Sequence, residues 1–552
     1  MRIMDVFVNY SDKISTGLQL SLETETGERA YTILLRYSGN YNELHTQTDI
    51  LMIPLLNQFA IGSASKEQIQ VLAYLPQILY IDLTRQMEYE QAVSAKTRIA
   101  SCFPMYDTSG QVLRGNGIVC GIVDSGVDIN HPAFRKNDGK SRIVTYWDQM
   151  QSGNAPAPYA FGAVYTYNQI NDFIRNGQNI PRFDISGHGT SVASIISALS
   201  PEAELAVVAA MPDTAAFLCA IDYLVRYAAD RRQPLVLNLS YGNNYGDHAG
   251  NSLIEQYINT LRANGKITIV TGTGNEGNTG RHRYIHGSKA QSVGIALEDG
   301  LSVFNLQFWS DPVNPYQFQV RSPSGETTIF MHSDNQGQFY SYQFRSVNIS
   351  IQIGSPSPYN QKQEIFFSFH AASEAIQSGY WSIEIRPFLS NYYAIDAWLP
   401  VAASTSADIE FEIPTPDLSL TIPATADIAI SVAAYDPSLQ SIAVFSGKGS
   451  TTIQKPDFAA PGVNILTARS GGGYVLQTGT SFSAPFVSAA AANLMQWGIT
   501  DGNDPFLYGD RMKAYLKNGA IPLPGDAKIP NFSEGWGRLC ANASIPHKST
   551  SL

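Results

Sequence analysis

Three short glycine-framed segments constrain this chain more than any other feature: GIVDSG at 121–126, GHGT at 187–190 and GTSFSAP at 479–485. Each sets one member of an acid, imidazole and hydroxyl group among small residues: Asp124, His188 and Ser481. A serine hydroxyl is a weak nucleophile until a neighbouring imidazole takes its proton. The imidazole in turn needs a carboxylate to hold its tautomer. Taken singly, each residue has a plainer explanation. Asp-Ser-Gly makes turns, a histidine can simply end a helix, and a serine can be an N-cap. All three in these frames point to nucleophilic acyl transfer.

The flanking patterns place the three residues. Residues 116–123 (NGIVCGIV) are an apolar run of strand length bounded by glycine. They predict a buried parallel strand with Asp124 at its C-terminal end, where open α/β sheets set their sites. A carboxylate there must be hydrogen-bonded, and Ser125 is a nearby donor. His188 opens a stretch of small residues that predicts a buried helix entered through a glycine turn. Ser481 opens a second such helix, with Pro485 in a first turn where a missing N–H is harmless. A fourth segment, ITIVTGTGNEG at 267–277, runs from a β-branched strand through glycines to Asn275. An Asn amide can donate where a tetrahedral intermediate develops its charge, although Asn275 also suits a turn. The backbone N–H of Ser481 would be the second donor.

These segments resemble the subtilisin-like (S8) serine peptidases over roughly residues 95–285 and 418–545. The chain order of the triad is also that of subtilisin. The resemblance implies an α/β fold, a parallel sheet flanked by helices. It makes Asp124 the orienting carboxylate, His188 the general base and acid, Ser481 the nucleophile and Asn275 the oxyanion donor, with Ser125 and Thr480 in support. LSYG at 239–242 resembles the family's substrate-binding strand. Ser240, Tyr241 and Gly242 would there pair their backbone with an extended peptide. Gly272, Thr273 and Gly274 resemble the opposite wall of the primary specificity pocket.

A closer resemblance is to the Csp proteases of clostridial spore germination and their relatives. It is carried by YWDQ at 146–149, NLSYGN at 238–243 and GDHAGNS at 246–252. Some members of that group have lost a triad residue. Here every triad position is filled, which implies an active enzyme acting on protein or peptide substrates, with a germination zymogen as the implied target. The competing reading is a silent pseudoprotease that serves as a signalling scaffold or germinant-binding protein. The asparagine-containing loop that holds a tight calcium in many secreted subtilisins is missing, since Ser200 leads directly into Pro201. No metal and no cofactor is expected.

Composition sets the remaining bounds. A net charge of −11 argues against a nucleic-acid partner. No apolar run is long enough for a membrane span. The first residues, MRIMDV, lack a signal-peptide core. Synthesis in the cytoplasm is therefore expected, with spore association implied by the resemblance. Cys102, Cys120, Cys219 and Cys540 are scattered without metal-like spacing and are expected to be free thiols.

Along the chain, residues 1–91 read as a small α+β unit: a strand at 31–37, a helix opened by Ser65 and a strand at 78–82. This resembles the family's inhibitory prodomain, whose tail lies in the active-site cleft. Self-cleavage is expected within 86–96, after Gln91, because small Ala92 follows. The first part of the protease domain would then occupy 92–285 and the second part 418–552. Between them, 286–417 changes texture. Alternating runs (YQFQVR at 316–321, IFFSF at 365–369, WSIEI at 381–385, AIDAW at 394–398) are separated by turn clusters such as SPSG at 322–325. The pattern predicts an inserted all-β sandwich, a jelly roll.

Overall fold

The structure is a computed structural model that describes residues 12–24, 29–48, 50–89, 103–107, 109–389, 392–525 and 528–546. Two compact units separate. One comprises the described residues of Gln86–Gly242, Ile254–Asn278 and Pro423–Leu552; the other those of Met1–Arg85, Asn243–Leu253 and Thr279–Ile422.

The first unit is built on a nine-stranded sheet. Its spine is six parallel strands in the order Ala429–Asp436, Ile267–Gly272, Leu235–Leu239, Val119–Asp124, Glu204–Ala209 and Ile143–Asp148. Every residue of Val119–Asp124 is buried. That is why its sequence reads as a continuous apolar run rather than an alternation. The register pairs Leu239 with both Val123 and Thr271. The strand ends carrying Asp124, Ser240 and Gly272 are therefore level. A long helix runs Thr214–Asp230, because the Asp213 side chain accepts from the Ala216 N–H and starts it there. Its Ala215, Leu218, Ile221 and Val225 are all buried. The helix Ala484–Met495 is buried on every face. Ser488 Oγ donates to Asn238 Oδ1 at 2.9 Å and fixes this helix on the central strand.

The second unit holds a four-stranded antiparallel sheet in the order Met52–Leu55, Phe59–Ala64, Tyr31–Tyr37, Ile78–Leu83. Ser65 caps the helix Lys66–Tyr74, and Gln68 returns a bond to the Ser65 N–H to complete a capping box. The same unit contains two antiparallel sheets, of six and five strands. They enclose one aromatic and aliphatic core that includes Phe304, Phe318, Phe367, Trp381 and Ile385. The first of these strands begins at His282, slightly ahead of the change of texture in the sequence. Helix Thr16–Thr24 lies against the six-stranded sheet, where Gln352 Nε2 donates to Gln19 Oε1 at 3.3 Å. Gly354 permits that approach, since a Cβ there would fall 2.0 Å from Thr16 Oγ1.

The cysteine expectation needs correction. Cys120 and Cys219 are free and buried, but Cys540 is disulfide-bonded. Connectivity cannot be deduced from cysteine spacing, so the bond left no sign in the sequence. Among the described residues no helix is long and apolar enough to cross a membrane.

Candidate active site

Asp124 ends its strand fully buried, and its Oδ1 accepts from the Ser125 N–H at 2.7 Å. His188 is the first residue of helix His188–Leu199, entered through Gly187 at φ 70°. His188 Nδ1 lies 2.7 Å from Asp124 Oδ1, with both side chains sealed from solvent. Gly189 makes this approach possible: a Cβ there would sit 2.1 Å from the Gly126 carbonyl and 3.0 Å from Asp124 Cβ. Ser125 supports Asp124 through its amide rather than its hydroxyl. The hydroxyl donates to Asp184 Oδ1 at 2.8 Å and accepts from the Gly189 N–H at 2.9 Å.

Asp184 received no role from the sequence, yet it ties the strand end to the helix start. Its carboxylate also accepts from Ser186 Oγ, the Gly187 N–H, the Thr190 N–H and Thr190 Oγ1. The available signal was an Asp set three and six residues before such donors at a helix entrance. A second unforeseen brace is Arg182. Its Nε reaches both Asp148 oxygens at 3.1 Å, and its Nη2 donates to the Ser125 carbonyl at 2.9 Å. The YWDQ segment thus has a local purpose. Its neighbouring Gln149 accepts from the Met211 N–H and donates to the Ala216 carbonyl.

Ser481 lies in the tight turn Thr480–Phe482 that leads into the buried helix. The Phe482 ring is 5.4 Å from the His188 ring, which sets this turn beside the imidazole. Asn275 is held by its amide oxygen, which accepts from the Thr480 N–H at 3.1 Å and Thr480 Oγ1 at 3.3 Å. Among the described residues, Asp124 Oδ2, His188 Nε2, Asn275 Nδ2 and Ser481 Oγ make no hydrogen bond. Each unpaired buried polar group costs about 1–3 kcal/mol, and such groups gather where chemistry requires them. No hydrogen bond joins Ser481 Oγ to His188 Nε2, and catalytic bonds of this kind commonly form only with substrate in place.

Beside this group, Tyr241–Gly242 pairs antiparallel with Glu88–Tyr89, with Tyr241 opposite Tyr89 and Gly242 opposite Glu88. On the other flank of the tail, the Met87 N–H donates to the Pro212 carbonyl at 3.0 Å. Burial, then the Asp124 charge, push the Tyr89 hydroxyl well above its ordinary range, so it stays neutral. Across the sheet, Gly272 ends its strand, while Thr273 bonds the Val432 carbonyl and Ser446 Oγ. Gly274 adopts φ 84°, and its carbonyl accepts from the Gly447 N–H at 2.9 Å. The bond after Gln91 lies outside the described residues.

A parallel sheet that presents an Asp–His pair at its strand ends, beside a serine at a helix start, has the arrangement of a serine hydrolase. The chain belongs to the subtilase family, whose model matches residues 115–352 and 387–537. The structure of the Clostridium perfringens CspB protease is similar with a TM-score of 0.73 and 31% identity, covering 78% of this chain and 93% of that one. The PIII-type proteinase of Lactococcus lactis subsp. cremoris (strain SK11) is 23% identical over 465 residues, 73% of this chain and 23% of its own length. The minor extracellular protease Vpr of Bacillus subtilis (strain 168) is 23% identical over 466 residues, 77% of this chain and 50% of its own. The chain thus spans half or less of the length of these curated relatives.

Proposed function

We propose that this chain is a serine endopeptidase that hydrolyses peptide bonds through an acyl-enzyme and cuts its own N-terminal segment. Ser481 Oγ attacks the scissile carbonyl and passes its proton to His188 Nε2, while Asp124 stabilises the imidazolium that forms. Asn275 Nδ2 and the Ser481 N–H donate to the oxyanion. The C–N bond breaks as His188 returns the proton to the leaving amine. A water molecule then repeats the sequence on the ester and frees Ser481.

The observation that carries this reading is the gathering of unpaired His188 Nε2, Asn275 Nδ2 and Ser481 Oγ beside a strand already paired with an extended peptide. Serine peptidases bind substrate as such an added strand. The likeness to the CspB protease supports a germination zymogen as substrate and a spore-associated setting, on grounds of family alone.

A second reading, a silent scaffold, draws on the seating of Tyr89 against His188 at 5.1 Å between ring centres, which covers the imidazole. Intact mass of the wild type and of Ser481→Ala under denaturing conditions, with fluorophosphonate labelling, separates the two. A cut close after Tyr89 in the wild type alone, with label on Ser481, supports the peptidase. An uncut, unlabelled wild type supports the scaffold.

A further inference from the structure

The paired tail samples one side-chain slot in detail, and that slot has aromatic walls. The Tyr89 ring lies 4.5 Å from the Tyr241 ring at 38° and 5.1 Å from the His188 ring at 40°. Tyr241 is itself immobilised. It is fully buried, its hydroxyl donates to the Ala210 carbonyl at 3.2 Å, and its ring meets Phe217 edge-on at 5.8 Å. The slot therefore exists as a fixed wall rather than one assembled by the tail. The adjoining position differs in its partner: Glu88 stands opposite Gly242, which offers no side chain. Alternation along an extended strand separates these two environments.

Position along the strand follows from direction. Tyr89 stands opposite Tyr241 and Glu88 opposite Gly242, so a substrate continued along the same antiparallel ladder would set its next residue opposite Ser240, which is level with Asp124 at the strand ends. A side chain packed on the general base belongs to a residue just before the carbonyl that the base helps to open. Offset and tilted ring pairs favour aromatic over aliphatic partners beyond the area they bury.

We propose that Tyr241 makes this peptidase selective for substrates carrying an aromatic ring at the position of Tyr89, next to the residue whose carbonyl is attacked, a register that moves the chain's own cut to the bond after Glu90 from the bond after Gln91 expected from the sequence. The proposal rests on the peptidase reading and deepens it. Tyr241 acts as a specificity-determining residue, with His188 as the facing wall. The chain's own Met87-Glu88-Tyr89 segment is the pattern it reads.

The test uses the full chain and internally quenched peptides that copy residues 86–93, with Tyr, Phe, Leu or Ala at the position of Tyr89. Ser481 is monitored in parallel with a fluorophosphonate probe, and Ser481→Ala is the blank. The expected result is equal kcat/KM for Tyr and Phe, and a value at least about tenfold lower for Ala. In Tyr241→Ala the ratio of Tyr to Ala peptide should fall to within about twofold, whatever the overall rate. A merely structural role for Tyr241 would slow all four peptides alike and leave the ratio intact, which overturns the proposal. Equal cleavage of the Tyr and Ala peptides by wild type with Ser481 labelled also overturns it, while the peptidase reading stands. No cleavage and no labelling removes both. Should Tyr241→Ala fail to fold, the wild-type peptide series decides alone. Self-processing gives the same answer from within the chain, slow in Tyr89→Ala and restored in Tyr89→Phe.

Discussion

Asn275 and Thr480 are joined twice, through the Thr480 N–H at 3.1 Å and Thr480 Oγ1 at 3.3 Å, both on the Asn275 amide oxygen. With its oxygen committed, the amide turns its Nδ2 away from Thr480, and that nitrogen is left unpaired. Thr480 therefore sets which way Asn275 donates. In subtilisin, the namesake of this family, loss of the oxyanion-hole asparagine lowers turnover about 10²–10³-fold. Asn275→Ala should lower the rate of self-processing by a similar factor. Thr480→Ala keeps the backbone bond and should cost about tenfold or less. Quantifying the processed fraction against time by intact mass checks both. Equal rates for wild type and Asn275→Ala would remove Asn275 from the chemistry.

Gly189 leaves no room for even one carbon, because a Cβ would stand 2.1 Å from the Gly126 carbonyl oxygen. The nearest blocking atom is backbone and the next two belong to Asp124 itself, so room for a side chain would have to come from the Gly126 backbone and the triad carboxylate. Gly189→Ala should displace His188 from Asp124 and abolish fluorophosphonate labelling. It should also lower unfolding stability by about 1–3 kcal/mol, measured by urea titration. Full labelling in this variant would show that the His188–Asp124 distance can relax without loss of reactivity.

Asp184 accepts from two hydroxyls on one oxygen and from the Thr190 N–H and Oγ1 on the other. An amide in its place can accept on one side only, and its NH2 would face donors on the other. Asp184→Asn should therefore cost about 1–3 kcal/mol of stability. It should also reduce processing, although Asp184 touches no reacting atom, because Ser125 and the His188 helix lose their common anchor. A variant with wild-type stability and reduced processing would assign Asp184 to positioning alone. A variant with unchanged processing would dismiss the anchor.

How much of this was legible follows the range of the forces involved. The strand at Asp124 and the capped helix after Ser65 are set by local periodicity and capping, and each lies close to where the sequence predicts it. The glycines around His188 announced a close approach without naming what approaches; only the tertiary fold shows that it is Gly126 and Asp124. Asp184 and the Arg182–Asp148 pair escaped notice because their meaning lies in partners 34 to 59 residues away. The disulfide at Cys540 was missed because the spacing of the cysteines carries no sign of it. The sequence reading set Tyr241 in a substrate-binding strand, and the structure pairs it with Tyr89. The aromatic slot proposed at Tyr241 could be drawn only once Phe217 and Ala210 were seen to hold its ring.

Asp457 gives a pH prediction away from the reacting atoms. Burial alone would raise its carboxyl, but the Lys455 ammonium at 2.8 Å, the charge of Lys513 and the Ser431 N–H overcome that and hold it at about 2. The unfolded value is near 3.8, so the native state releases this proton more readily than the unfolded chain. The stabilisation is complete above about pH 4 and is lost as pH falls through 3.8 towards 2, amounting to ~2 kcal/mol. Asp457 also joins strand Ala429–Asp436 to strand Phe458–Pro461, through its amide to the Ser431 carbonyl and its carboxylate to Ser431. That second strand leads to Gly462, whose carbonyl accepts from the Gly479 N–H two residues before Ser481. Asp457→Asn should lose ~2 kcal/mol at neutral pH and flatten the acid limb of the unfolding curve below pH 4. Stability curves of wild type and variant that stay parallel from pH 7 to pH 2 would show that this carboxylate does not carry the acid sensitivity.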